Sequence, residues 1–154
     1  MSRFLYSVER EYAHPVDVVW SAWTDAAQLE SWYHPTILTS VPGLTVSDAR
    51  VGGLWKCAVD VPMNDFVAYF WGRYSVVEPL SRLEHSLSYS QDRAEFDAAP
   101  EDAPAHQIVV EFDARGNTSW VKFSQFGDMP DEQIDATRDG MTSYFDSLEM
   151  FLDE

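Results

Sequence analysis

The sequence predicts an α+β fold of the helix-grip kind: a curved antiparallel β-sheet wrapped around a long C-terminal helix, with two short helices after the first strand. Three observations predict it. An alternating strand near the N-terminus leads at once into two short helical patterns. The run from Leu38 to Gly127 repeats with period two, and the stretch from Asp131 to Leu152 returns to helical spacing. A sheet with one apolar face and one long amphipathic helix must bury those faces against each other. A strongly twisted sheet around such a helix leaves a gap between the two, and that gap is the candidate site.

The first strand is RFLYSVEREY, residues 3–12, in which Phe4, Tyr6 and Val8 alternate with Arg3, Ser7 and Glu9. Pro15 then stands where a helix can begin, because its missing N–H would be unpaired there in any case. Val16, Val19, Trp20 and Trp23 follow at helical spacing. Asp25 can cap a second short helix, on which Leu29 and Trp32 share a face, and Pro35 ends it. In VGGLWKCAVDV, Trp55, Cys57, Val59 and Val61 fall on one face. FVAYFWGRYSVVEP is apolar on both faces until Glu78-Pro79 turns it. RLEHSLSY places Leu83, His85, Leu87 and Tyr89 together, HQIVVEFDA does the same for Ile108, Val110 and Phe112, and Arg115-Gly116-Asn117 turns the chain into TSWVKFSQF. Residues 91–105, acidic and rich in Ala and Pro with Phe96 as their only large apolar side chain, read as a long mobile loop. In the final helix Thr137, Met141, Tyr144, Phe145, Leu148, Phe151 and Leu152 form one stripe, opposite Glu132, Asp135, Asp139, Asp146 and Glu149.

Composition narrows the function classes. The chain has 154 residues, enough for one domain with a full core, read as spanning 1–154. Its formal net charge is −16, from 26 acidic and 10 basic residues, so a nucleic-acid backbone or an anionic membrane surface would be repelled. The single cysteine, Cys57, excludes an internal disulfide framework. No segment has signal-peptide character or approaches the length of a membrane span, which points to the cytoplasm. Aromatic residues make up 14%, and such rings are stiff enough to line a cavity as well as fill a core.

The order of these motifs resembles the START-like (SRPBCC) superfamily, and more closely its branch named after the activator of the heat-shock-protein ATPase. The residues that carry the resemblance are Pro15, the pair Val19-Trp20, Thr24-Asp25 and Trp32; then Gly52-Gly53 before Trp55; then Gly72, Glu78-Pro79 and Arg82-Leu83; then Thr118 and the glycine-containing last helix. The match runs over almost the whole chain. Two features depart from it: the insert at 91–105 is longer than the usual turn, and the last strand carries an extra residue, so that Val121 and Phe123 rather than Trp120 keep the apolar spacing. The resemblance implies the fold far more strongly than a function, because one fold hosts many activities.

Three functions compete. The first is binding of a small apolar or amphipathic molecule in the gap. Its walls would come from Trp32, Trp55, Cys57 and Tyr74 on one side of the sequence, from His85, Leu87, Tyr89, Phe112 and Phe123 in the later strands, and from Gly140, Met141, Tyr144 and Phe145 in the helix. His85 or Tyr144 would supply a polar point, and Gly140 would leave room for the ligand. The second is a chaperone partner, implied by the family name alone; the eukaryotic activators also carry an additional N-terminal domain. The third is a cyclase- or dehydratase-like enzyme using a pocket His or Tyr, although no nucleophile is paired with a base. The four histidines are scattered without a cysteine partner, so no metal and no cofactor is expected, Cys57 is read as a core or cavity residue, and a homodimer is left open.

Overall fold

The computed structural model describes residues 3–154. Strand β1 (Arg3–Tyr12) leads into helices α1 (Val16–Thr24) and α2 (Ala26–Trp32). Two short strands, β2 (Thr39–Ser40) and β3 (Val46–Ser47), precede the long meander β4 (Leu54–Val61), β5 (Phe66–Glu78), β6 (Arg82–Ser90), β7 (His106–Arg115) and β8 (Thr118–Gly127). A six-residue helix, α3 (Arg93–Ala98), lies between β6 and β7, and α4 (Asp131–Leu152) closes the chain. The sheet is antiparallel in the order β1-β8-β7-β6-β5-β4-β2, with β3 also paired to β4, so the first strand returns to lie beside the last. The α+β helix-grip architecture read from the sequence is the one observed.

Local chemistry fixes the helical corner. Asp25 ends α1 and caps α2, its carboxylate accepting from the Gln28 backbone N–H at 3.1 Å. Leu29 and Trp32 are fully buried, and the Trp32 indole N–H donates to the Ala22 carbonyl at 2.8 Å, locking the two helices together. The Gly52-Gly53 pair starts β4. Gly52 has φ of 85°, and a Cβ on Gly53 would lie 1.8 Å from the Asp48 carbonyl oxygen, so neither position accepts a side chain without movement.

Two strands depart from simple alternation. The register of β1 against β8 shifts between Phe4 and Tyr6, a β-bulge that turns Phe4 outward, 55% exposed and edge-on to Phe126, while Tyr6, Val8 and Tyr12 face the core. The inward reading of Phe4 is corrected by that one extra residue. In β8, Val121, Phe123 and Gln125 are buried, and Trp120 lies on the opposite face with the Arg115 guanidinium 5.5 Å from its ring.

The segment 91–105 is not the unstructured loop that its composition suggests. Asp92 caps α3 by accepting from the Ala94 N–H, and Phe96 is buried against Tyr69 with ring centroids 5.0 Å apart. Ala58, Tyr69, Trp71, Phe96 and Ala99 form a second apolar cluster on the outer face of the sheet, and the Trp71 indole N–H donates to the Pro100 carbonyl. A strand apolar on both faces needs both faces covered, and this insert is the cover for β5.

Helix α4 lies along β1 and α2. Tyr12 donates to the Phe145 carbonyl at 3.0 Å, Ser147 to the His34 carbonyl at 2.7 Å, and Arg10 pairs with Asp146 at 2.7 Å. All buried residues of α4, namely Met141, Phe145, Ser147 and Leu148, belong to its C-terminal part. Its first ten residues have no fully buried side chain, and Ile134, their one large apolar residue, packs partly against the core, so the helix is seated deeply at one end and lifted at the other. The role of Phe96 is open to test: Phe96→Ala should cost about 3 kcal/mol of unfolding free energy, as for other buried phenylalanines. Urea unfolding would show it as a lower midpoint, and an unchanged midpoint would mean that the segment is not docked.

Candidate functional site

Beneath the raised half of α4 lies a chamber of about 250 Å³, walled by Tyr6, Gln125, Phe70 and Leu87 from the sheet, Tyr33 from the end of α2, and Thr137, Gly140, Met141 and Tyr144 from the helix. Phe70, Leu87, Gln125 and Thr137 also line a larger outer cleft of about 710 Å³, so the two spaces adjoin across these side chains. The cleft opens between Tyr89, the 104–106 segment and the 128–130 segment that leads into α4. The chamber wall contains no charged residue. A Cβ on Gly140 would meet nothing within 4 Å, so the missing side chain leaves open space.

A polar chain crosses from chamber to cleft. The Tyr6 hydroxyl donates to Gln125 Oε1 at 2.6 Å, Gln125 Nε2 donates to His106 Nδ1 at 2.7 Å, and His106 Nε2 donates to the Asp128 carbonyl at 3.2 Å. In this polar chain Nδ1 is the accepting nitrogen of the imidazole and Nε2 the donating one. A Cβ at Gly127 would lie 2.4 Å from the His106 ring, so the glycine lets that ring pack flat on the last turn of β8. Burial pushes the Tyr6 hydroxyl well above the ordinary phenol range and keeps it a donor.

The residues predicted from the sequence divide into three groups. Leu87, Gly140, Met141 and Tyr144 line the chamber. Tyr89, half exposed and tilted against Phe70 at 5.3 Å, sits on the outer cleft rather than inside it. The remainder pack in the solid part of the core. Trp32 lies against Trp23, and Phe112 contacts Trp20 and Trp23. Phe123 stacks on Tyr6, Phe145 lies beside Tyr12, and Cys57 is buried with its thiol pushed well up by desolvation. Trp55 stacks on His85 at 4.3 Å and lies edge-on to Tyr33 at 5.4 Å. Tyr74 shares a hydrogen bond with Ser47 at 2.8 Å and has its hydroxyl pushed up to about 12 by burial. Sequence reasoning missed Tyr6, Tyr33, Phe70, His106, Gln125 and Thr137 as site residues. The signal for Gln125 was present: with Ser119 it is one of two polar residues in phase with Val121 and Phe123 on an otherwise apolar face.

His85 points inward, as its phase predicts, but it does not reach the chamber. Its Nδ1 donates to the Ser86 carbonyl at 2.7 Å, and desolvation pushes its pKa down from 6.5 to about 4. It is a neutral core histidine behind Trp55. Among the described residues, no group of three His, Cys, Asp or Glu side chains is placed to hold a metal ion, and no helix is long and apolar enough to cross a membrane.

A curved sheet that grips a helix over an uncharged chamber defines a START-like protein. Residues 13–153 match the family described as activator of Hsp90 ATPase homolog 1-like protein, and the chain belongs to that family. No curated protein matches it closely enough to count. Among solved structures it is similar to protein CV1439 from Chromobacterium violaceum, with a TM-score of 0.78, 18% identity and 97% of each chain covered. The AHSA1 protein SPO3351 from Silicibacter pomeroyi is also similar, with a TM-score of 0.79, 17% identity and 96% of each chain covered. CalU16 from Micromonospora echinospora is more distant, with a TM-score of 0.64 and 20% identity over 95% of this chain and 74% of that one. At such identities the likeness is one of fold.

The state of His85 has a consequence for stability. The fold holds it neutral down to about pH 4, whereas the unfolded chain protonates near 6.5. Between those values the unfolded state binds more protons, so stability falls as the pH drops through the window, by about 3 kcal/mol for this group. Urea midpoints measured across that window should fall more steeply for the wild type than for His85→Phe. Equal slopes would mean that His85 is not held neutral.

Proposed function

We propose that the protein is a binding module for a small, largely apolar or amphipathic molecule, taken in through the outer cleft and held between the sheet and α4. The observation that carries this reading is the chamber under the raised half of α4, with uncharged walls and an outer cleft adjoining it. Ligand sites are concave and mostly apolar, with few polar groups that fix orientation. Phe70, Leu87 and Met141 supply the apolar surface here, and phenols and one amide supply the polar groups. A chamber of this size suits a molecule of one or two rings, with longer substituents in the cleft.

Binding is favoured over catalysis because the chamber wall pairs no nucleophile with a base. The buried Cys57 thiol stays protonated, and His85 is turned onto a backbone carbonyl. The chaperone-partner reading has only the family's description behind it.

Gly140→Leu tests the site. Leucine removes the helix penalty of about 1 kcal/mol that glycine carries, so the melting temperature should hold or rise. The new side chain enters the open space, so affinity for the neutral fluorescent probe N-phenyl-1-naphthylamine should drop at least about tenfold, as expected when apolar contact of more than one buried methylene is lost. Unchanged affinity in a folded variant would place the bound probe outside the chamber.

A further inference from the structure

The polar atoms of the chamber wall are unequally committed. The Tyr6 hydroxyl hydrogen is spent on Gln125, and the Gln125 amide uses its oxygen on Tyr6 and one of its two N–H groups on His106. Thr137 donates to the Gln133 carbonyl at 2.8 Å. Elsewhere the hydroxyls of Tyr12, Tyr74 and Tyr89 are bonded to Phe145, Ser47 and Gln91. The hydroxyls of Tyr33, Tyr69 and Tyr144 make no such bond among the described residues, and Tyr69 lies on the outer face of the sheet, away from the chamber. Those of Tyr33 and Tyr144 are not sealed in the core either, where the unpartnered polar atoms are Trp23 Nε1 and Thr45 Oγ1. Both rings line the chamber.

These two phenols form a pair. Their rings meet edge to face with centroids 4.8 Å apart. Tyr33 is only 4% exposed, and it is held in place by Trp32 at 5.3 Å and Trp55 at 5.4 Å, both edge-on. The ring is buried while its hydroxyl borders the chamber without a protein partner, and a ligand acceptor that displaces water from the chamber and reaches that hydroxyl satisfies it. We propose that the chamber selects neutral molecules carrying a hydrogen-bond acceptor, such as the carbonyl oxygen of an aryl ketone, ester or amide, and that Tyr33 and Tyr144 donate to that oxygen together. A carbonyl oxygen has two lone pairs and can accept both hydrogens.

Charge selects in the same direction. Desolvation pushes both phenols well above their ordinary range, so each keeps its hydrogen and remains a donor. The wall offers no cation to neutralise a carboxylate and no carboxylate to neutralise an amine, so an ionised ligand would be desolvated without compensation. The acceptor end would lie inward against Tyr33 and Tyr144, and the apolar remainder against Phe70, Leu87 and Met141.

The proposal rests on the chamber being the binding site, and matched ligands separate the two ideas. 2-Acetylnaphthalene and 2-isopropenylnaphthalene have nearly the same shape, but only the ketone has an acceptor; 2-naphthoate adds a charge. Each would be titrated against bound N-phenyl-1-naphthylamine with the wild type and with Tyr33→Phe, Tyr144→Phe and the double variant. Folding is monitored by the melting transition. Each hydroxyl should be worth roughly fivefold. The ketone should therefore bind the wild type well over tenfold more tightly than the alkene, each single variant should shrink that ratio, and the double variant should bring it near unity with alkene affinity kept. The naphthoate should compete poorly. Equal displacement by ketone and alkene in the wild type would overturn the donor pair while leaving the chamber as an apolar site, a result that needs no variant to fold. A ratio that survives the double substitution would also overturn it. If neither naphthalene displaces the probe, the chamber is not the site, and both ideas fall together.

Discussion

The structure depends on how one rigid helix is seated in a curved sheet. α4 is anchored at its C-terminal part by Phe145 and Leu148, both fully buried, and is tied to β1 through Tyr12 and Arg10 and to the end of α2 through Ser147. A helix cannot follow the sheet's curvature, so fixing one end lifts the other. On the lifted side the helix presents Thr137 and Gly140 to the space, one small and polar and the other without a side chain, so neither fills it. The chamber is the geometric remainder of that contact, and the bulge that turns Tyr6 inward on β1 places a phenol at its edge.

Around that space, electrostatics are governed by desolvation rather than by ion pairing. The molecule is strongly acidic, yet its salt bridges lie on exposed or part-exposed positions, where each contributes little. Inside, the titratable groups are phenols, a thiol and an imidazole, each driven toward its neutral form by burial. A neutral interior with oriented O–H and N–H groups sorts ligands by hydrogen-bond complementarity, since a mismatched partner leaves a buried dipole unpaired. The same logic accounts for the relay from Tyr6 to the Asp128 carbonyl, in which the Tyr6 hydroxyl, one Gln125 N–H and His106 Nε2 each donate to the next group.

The outer face of the sheet obeys a related rule. Tyr69 and Trp71 alternate with core residues on β5, so the strand is apolar on both sides and requires a cover. The acidic insert provides it with one aromatic anchor, Phe96, and Lys56 lies 4.5 Å from that ring. Composition alone made the segment look unstructured, because a single anchor weighs little among many acidic residues and prolines. The evidence for its order lay in β5, the strand that needed the partner.

Local patterns in the sequence determined the fold: the helix cap at Asp25, the glycine pair before β4, the period-two strands and the apolar stripe of α4 each act over a few residues and need no knowledge of the rest. They also determined which residues face inward, including His85, Tyr144 and the Val121-Phe123 face. Tertiary structure decided which inward residues border empty space. That depends on the lift of α4 and on the distances between elements far apart in the chain, which periodicity does not encode. Hence Trp55, Cys57 and His85, inward by phase, pack solidly, while Tyr33 at the end of a short helix and Gln125 on a late strand reach the chamber. Side-chain direction is a local property of the backbone, whereas a cavity is a property of the gap between surfaces that only the assembled fold brings face to face.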